Sequence, residues 1–177
     1  MTKNEMRNLA KSFTYAFRGL AYCVKSERNM RIHLCAVVLV SFFSWFYGLE
    51  KNGYLVLFLC FGFVIAAEAF NTAVETMVNL ESPSYHQFAR IAKDVAAGAV
   101  FVAAVTSVIV GAILILGDWG RLLSTLLSIV CNPVACPVLL VLIALSVLFI
   151  FNGARLLGDK PQEQGNTRNF DETAPKS

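Results

Sequence analysis

Charge is scarce in this sequence. Asp, Glu, Lys and Arg make up 15% of 177 residues, against 56% hydrophobic residues, and the mean hydropathy is +0.60. Soluble domains carry about 25% charged residues, so the composition excludes an ordinary soluble protein and points to an integral membrane protein. Other absences narrow the field further. No basic stripe is interleaved with aromatics, which argues against nucleic-acid binding. No CxxC or Cys/His spacing suggests zinc. There is no Walker A pattern and no kinase-type Gly-rich loop, so any nucleotide site must be of another kind. The first apolar run starts near His33. That is too far from Met1 for a typical signal peptide, no small-residue cleavage site follows, and the N-terminus is expected to be retained. Of the five cysteines, three lie in or beside apolar segments and read as small buried hydrophobes. Cys131 and Cys136 flank a proline-containing turn and could pair only if it faces an oxidising compartment.

Apolar length is what the sequence does have. A spanning helix needs about 20 mostly apolar residues, and four segments come near this: Ile32 to Leu49, Tyr54 to Val78, Val95 to Leu116 and Val134 to Leu157. The stretch "RLLSTLLSIVC" is too short to span and reads as an interfacial or re-entrant piece capped by Asn132-Pro133. From Glu5 to Lys25, apolar residues at Leu9, Phe13, Phe17, Leu20 and Val24 share one helical face, with Lys11, Arg18 and Lys25 opposite. This is the pattern of an amphipathic helix lying on the bilayer surface. Seven Lys and Arg precede the first span, only Lys51 follows it, Arg90 and Lys93 follow the second, and only Arg121 follows the third. The alternation places both termini in the cytoplasm. The expected fold is an all-α membrane protein: a surface helix and link (1–31), a three-span core (32–117), an outer loop and fourth span (118–157), and a disordered tail (158–177).

Charged and polar residues reappear at the end of the second span. Glu68, Asn71, Thr72, Glu75 and Asn79 are spaced to share one narrow helical face. A carboxylate at membrane depth is costly, so such a stripe belongs to a protein interior or a wet cleft. "KSERNMRIH" supplies Glu27 and "ARIAKDVAAGAV" supplies Lys93 and Asp94 at the same membrane face. This inventory suits phosphoryl transfer. Glu27 and Glu75 could hold Mg²⁺, Lys93 could sit on a phosphate, and Glu68, deepest, could act as general base on a lipid hydroxyl. Against this stand plainer readings. The stripe could be glue between helices, Lys93-Asp94 an interfacial anchor, Glu27 a surface ion pair, and His33 and His86 interfacial histidines.

The stretches "FRGLAY", "ERNMRIHL", "EAFNTAVETMV", "SPSYH" and "AKDVAAGAV", in this order, resemble the small integral-membrane prokaryotic diacylglycerol kinase family, which includes the undecaprenol kinases. The resemblance covers about Ala10 to Leu116. It implies an ATP-dependent, Mg²⁺-requiring lipid kinase of the bacterial inner membrane, working as a homotrimer with sites composed from neighbouring subunits. By position, Glu68 matches the family's catalytic base and Asn71 the asparagine beside it. Glu27 and Glu75 match the metal-binding glutamates, Lys93 the phosphate-contacting lysine and Asp94 its neighbour. Lys11, Tyr15 and His86 match positions near the nucleotide. The chain departs from the pattern at Asn79, where many members carry an aspartate, and at Asn8, where an arginine is common and Arg7 is adjacent. It also departs in the fourth span and tail. "ERNMRIHL" and "AKDVAAGAV" resemble the undecaprenol-kinase branch more, which favours a polyprenol substrate over diacylglycerol. Two non-enzyme readings stand beside the kinase: an ion-conducting element using the glutamate stripe, and an inactive scaffold. The stripe is confined to one leaflet, which disfavours conduction.

Overall fold

A computed structural model of the protein describes residues 2–81 and 87–157. The described residues form six α-helices and no strand: α1 (Lys3–Ser26), α2 (Arg28–Tyr47), α3 (Lys51–Glu81), α4 (Gln87–Leu116), α5 (Trp119–Cys131) and α6 (Ala135–Leu156). Four of them, α2, α3, α4 and α6, are long and apolar enough to cross a membrane, and α5 is not. The all-α architecture matches the expectation. His86 and the tail from residue 158 lie outside the described residues.

Local chemistry sets several helix ends. Thr2 and Glu5 form a reciprocal capping box at the start of α1. Gly48 ends α2 with φ 64°, a left-handed conformation that glycine adopts without steric cost. Asp118 accepts from the Arg121 N–H to start α5. Asn132 caps α5, as expected, and has a second role. Its Oδ1 accepts from the N–H groups of Val134 and Ala135, both at 2.9 Å, so it starts α6 as well as ending α5.

Helices α3 and α4 run past the spans read from hydropathy. At 31 and 30 residues each is about 45 Å long, against a hydrocarbon core of about 30 Å. They pack on each other more extensively than any other pair, and that contact carries helix beyond the apolar stretch. The polar C-terminal third of α3 and the start of α4 therefore project together from one end of the bundle. At the other end, Tyr47 Oη donates to the Ile115 carbonyl (3.1 Å) and Tyr54 Oη to the Ser44 carbonyl (2.9 Å). The apolar face of α1, including Leu9, Phe13 and Phe17, is exposed rather than packed within the chain. That is the disposition expected of a helix whose apolar side meets the bilayer.

Candidate active site

Glu27 is the elbow between α1 and α2, the C-cap of one helix and the N-cap of the next. Its backbone is extended, and its N–H donates to the Cys23 carbonyl at 2.9 Å. Its carboxylate does not cap α2, so the side chain is left for another task. It is half-buried and lies within electrostatic reach of Glu75. Burial first, and then the charge of Glu75, push the Glu27 carboxyl above its ordinary value of 4.5, while Ser26 and Arg31 pull it down.

On α3 the stripe grades from buried to exposed. Glu68 is 1% exposed, Asn71 and Thr72 are buried, Glu75 is half-buried and Asn79 is exposed. Measured from Lys51, Glu68 lies roughly 26 Å along the helix axis and Glu75 roughly 36 Å. Asn71 Nδ2 donates to Glu75 Oε1 at 3.1 Å, and Thr72 Oγ1 donates back to the Glu68 carbonyl at 2.9 Å. Both carboxylate oxygens of Glu68 and Oδ1 of Asn71 are buried without a hydrogen-bond partner. A buried carboxylate left this way costs on the order of several kcal/mol when ionised, a cost that functional sites bear more often than structural ones. The charges of Glu27 and Glu75 both act on Glu68, so the three carboxylates form one group at the elbow.

A groove of about 490 Å³ between α1 and α3 runs past this group, lined by Gly19, Cys23, Ala69, Thr72 and Thr76 among others. A second, of about 830 Å³, lies between α3 and α4 and has Asn71 among apolar residues such as Phe63, Phe70, Val95 and Ala99. On α4, Lys93 Nζ donates to Asn79 Oδ1 at 2.7 Å. Asp94 is turned elsewhere: it faces Arg90 one turn back, at 3.7 Å on an exposed surface. Lys11 and Tyr15 are exposed on α1, roughly 24 and 18 Å along the helix from Glu27. The fold therefore brings Glu27, Glu68, Asn71 and Glu75 together, and separately Asn79 with Lys93. It does not bring Lys11, Tyr15 or Asp94 into the carboxylate group within one chain.

Among the described residues, no set of three or more His, Cys, Asp or Glu is placed to hold a metal ion by itself. The donor set still fits Mg²⁺, which is usually bound through one or two carboxylates together with substrate phosphates.

The model of the prokaryotic diacylglycerol kinase family matches residues 14–115. The chain belongs to this family. The lipid-kinase family segment thus runs from the middle of α1 to the end of α4, and includes Glu27, the α3 stripe and Lys93. Outside it lie Lys11 and all of α5 and α6. The chain is 44% identical over 110 residues to a diacylglycerol kinase of Synechocystis sp., a match covering 62% of this chain and 63% of that protein. It is 37% identical over 114 residues to an undecaprenol kinase of Bacillus subtilis, covering 64% of this chain and 93% of that protein. No solved structure is significantly similar to the chain.

Arg31 is one of the seven basic residues before the first span and, in the sequence, one of the polar groups of "KSERNMRIH" with no role of its own. It is 5% exposed and donates three hydrogen bonds to backbone carbonyls. The available signal was its place one turn after the helix break at Glu27, where a side chain can fold back over the end of α1.

Proposed function

We propose that the protein is a lipid kinase that transfers the γ-phosphate of ATP to a membrane lipid alcohol at the cytoplasmic face of the bacterial inner membrane. The observation that carries this reading is Glu68. It is a buried carboxylate with neither oxygen bonded, within electrostatic reach of two further carboxylates, Glu27 and Glu75. In this reading Glu68 takes the hydroxyl proton as the lipid oxygen attacks the γ-phosphorus, the bond from the γ-phosphorus to the bridging oxygen breaks, and ADP leaves with that oxygen and its electron pair. Asn71 holds Glu75 in place through its amide. Glu27 and Glu75 are the residues to hold Mg²⁺, which when bound neutralises phosphate charge. Lys93, presented by Asn79, meets the phosphates. The apolar grooves beside α3 offer room for a lipid chain.

The stretches that resemble the undecaprenol-kinase branch favour a polyprenol. The relative named as a diacylglycerol kinase supports diacylglycerol as the second reading. Purified protein is to be offered radiolabelled ATP with Mg²⁺ and each lipid in turn. Label is expected in the polyprenol at a higher kcat/KM than in diacylglycerol. Folded protein that labels neither lipid would sink the kinase reading, and preference for diacylglycerol would reverse the substrate assignment.

A further inference from the structure

Helix α6 lies beyond the segment matched by the family, yet it docks on the part of the fold that carries Glu27. The Arg31 Nη1 group donates to the carbonyls of Val24 and Lys25 at 2.9 and 3.0 Å, and Nε to the carbonyl of Ile150 in α6 at 3.3 Å. The two α1 carbonyls belong to its last turn, where no backbone N–H follows to pair with them and where the helix dipole is negative. A buried guanidinium thus finds acceptors and a favourable field on α1, and its remaining edge ties α1 to α6. Gly153 makes room for it. A Cβ at Gly153 would sit 2.5 Å from Arg31 Cδ and 3.1 Å from Nε. Two flanking contacts repeat the attachment: Arg28 stacks over the Phe151 ring at 4.7 Å, and Cys35 Sγ approaches the Ser146 carbonyl at 3.8 Å.

We propose that α6 is a clamp on the α1–α2 elbow, with Arg31 in the Gly153 notch as the positioning residue that fixes Glu27. The charge of Arg31 also acts on Glu27, so its displacement changes both the place and the field of that carboxylate. The clamp rests on the proposed kinase reading only for its effect on catalysis. Its effect on the elbow is independent.

The test uses the full chain in micelles, with Gly153→Ala, Gly153→Leu and, as control, Ala144→Leu on an exposed part of α6. Alanine favours helix over glycine, so harm from Gly153→Ala reports the clash with Arg31 and not a weakened helix. Without substrates, alkylation of each cysteine is followed by mass spectrometry. Cys23, buried at the elbow, is expected to react about tenfold faster in Gly153→Leu and less so in Gly153→Ala, consistent with local opening. Exposed Cys131 should be unchanged. In the kinase assay, KM for Mg-ATP is expected to rise about tenfold with KM for the lipid unaltered. Wild-type Cys23 protection in both Gly153 variants overturns the clamp. Faster alkylation with wild-type KM for Mg-ATP overturns its link to Glu27. If the wild-type protein transfers no phosphate, the kinase reading fails, and the alkylation arm still decides the clamp.

Discussion

Glu68 and Glu75 share a helical face but differ in burial, and they should fail differently when changed. Glu68→Gln is expected to lower kcat by about 10²-fold or more while leaving KM for Mg-ATP near wild type. Because it removes a buried, unpartnered charge, it should not lower Tm. A clear loss of stability would mark Glu68 as structural. Glu75→Gln keeps an acceptor for Asn71 but loses the charge, so KM for Mg-ATP should rise about tenfold with a smaller change in kcat. Glu27 lies outside the spans and gives a pH signature. Its carboxyl is raised, so the fold favours its neutral form. The stability linked to it is complete below its ordinary value and declines as pH rises through the raised one. A cation between Glu27 and Glu75 offsets that decline, so Mg²⁺ should raise Tm more at about pH 8 than at about pH 5. Glu27→Gln is expected to abolish the difference, and an equal Mg²⁺ effect at both pH values would count against Glu27 as a ligand. At Asn79 the structure gives a specific partner, Lys93, so the residue presents the lysine without the charge an aspartate would bring.

At the scale of elements, the amphipathic surface helix and the short α5 follow from patterns of three to four residues, and both helices are present. Their ends depend on single groups. Asn132→Ala removes the acceptor for two N–H groups at the start of α6 and is expected to cost about 1 kcal/mol. This is measurable as a lowered unfolding midpoint in mixed micelles, and an unchanged midpoint would remove Asn132 from the capping role. The stripe on α3 was legible because helical period alone places its members on one face. The extension of α3 and α4 past their apolar stretches was not. Hydropathy marks the apolar stretch, whereas a helix packed on a neighbour can continue through polar residues. Asp94 shows the same limit: its neighbour in sequence is Lys93, but a helix points adjacent residues apart and brings Arg90 to it instead.

For the whole molecule, the exposed positions of Lys11 and Tyr15 bear on the proposed trimer with sites shared between subunits. If α1 of one subunit serves a nucleotide bound by another, oligomers mixed from Lys11→Met and Glu68→Gln chains should be well above either variant alone in turnover. Absence of any gain would favour sites complete within one chain. Composition, apolar run length and helical periodicity by themselves determined the membrane class, the four spanning segments, the amphipathic N-terminal helix and the carboxylate face of α3. These are properties of short stretches, fixed by hydrophobic length and by 3.6 residues per turn. Only the tertiary structure decided that Glu27 and the stripe form one group, that Lys93 rests on Asn79, and that Arg31 joins α1 to α6. The Arg31–Ile150 bond links residues 119 apart in the chain. Which carbonyl a buried guanidinium meets at that separation is set by how the helices pack, and no local pattern encodes it.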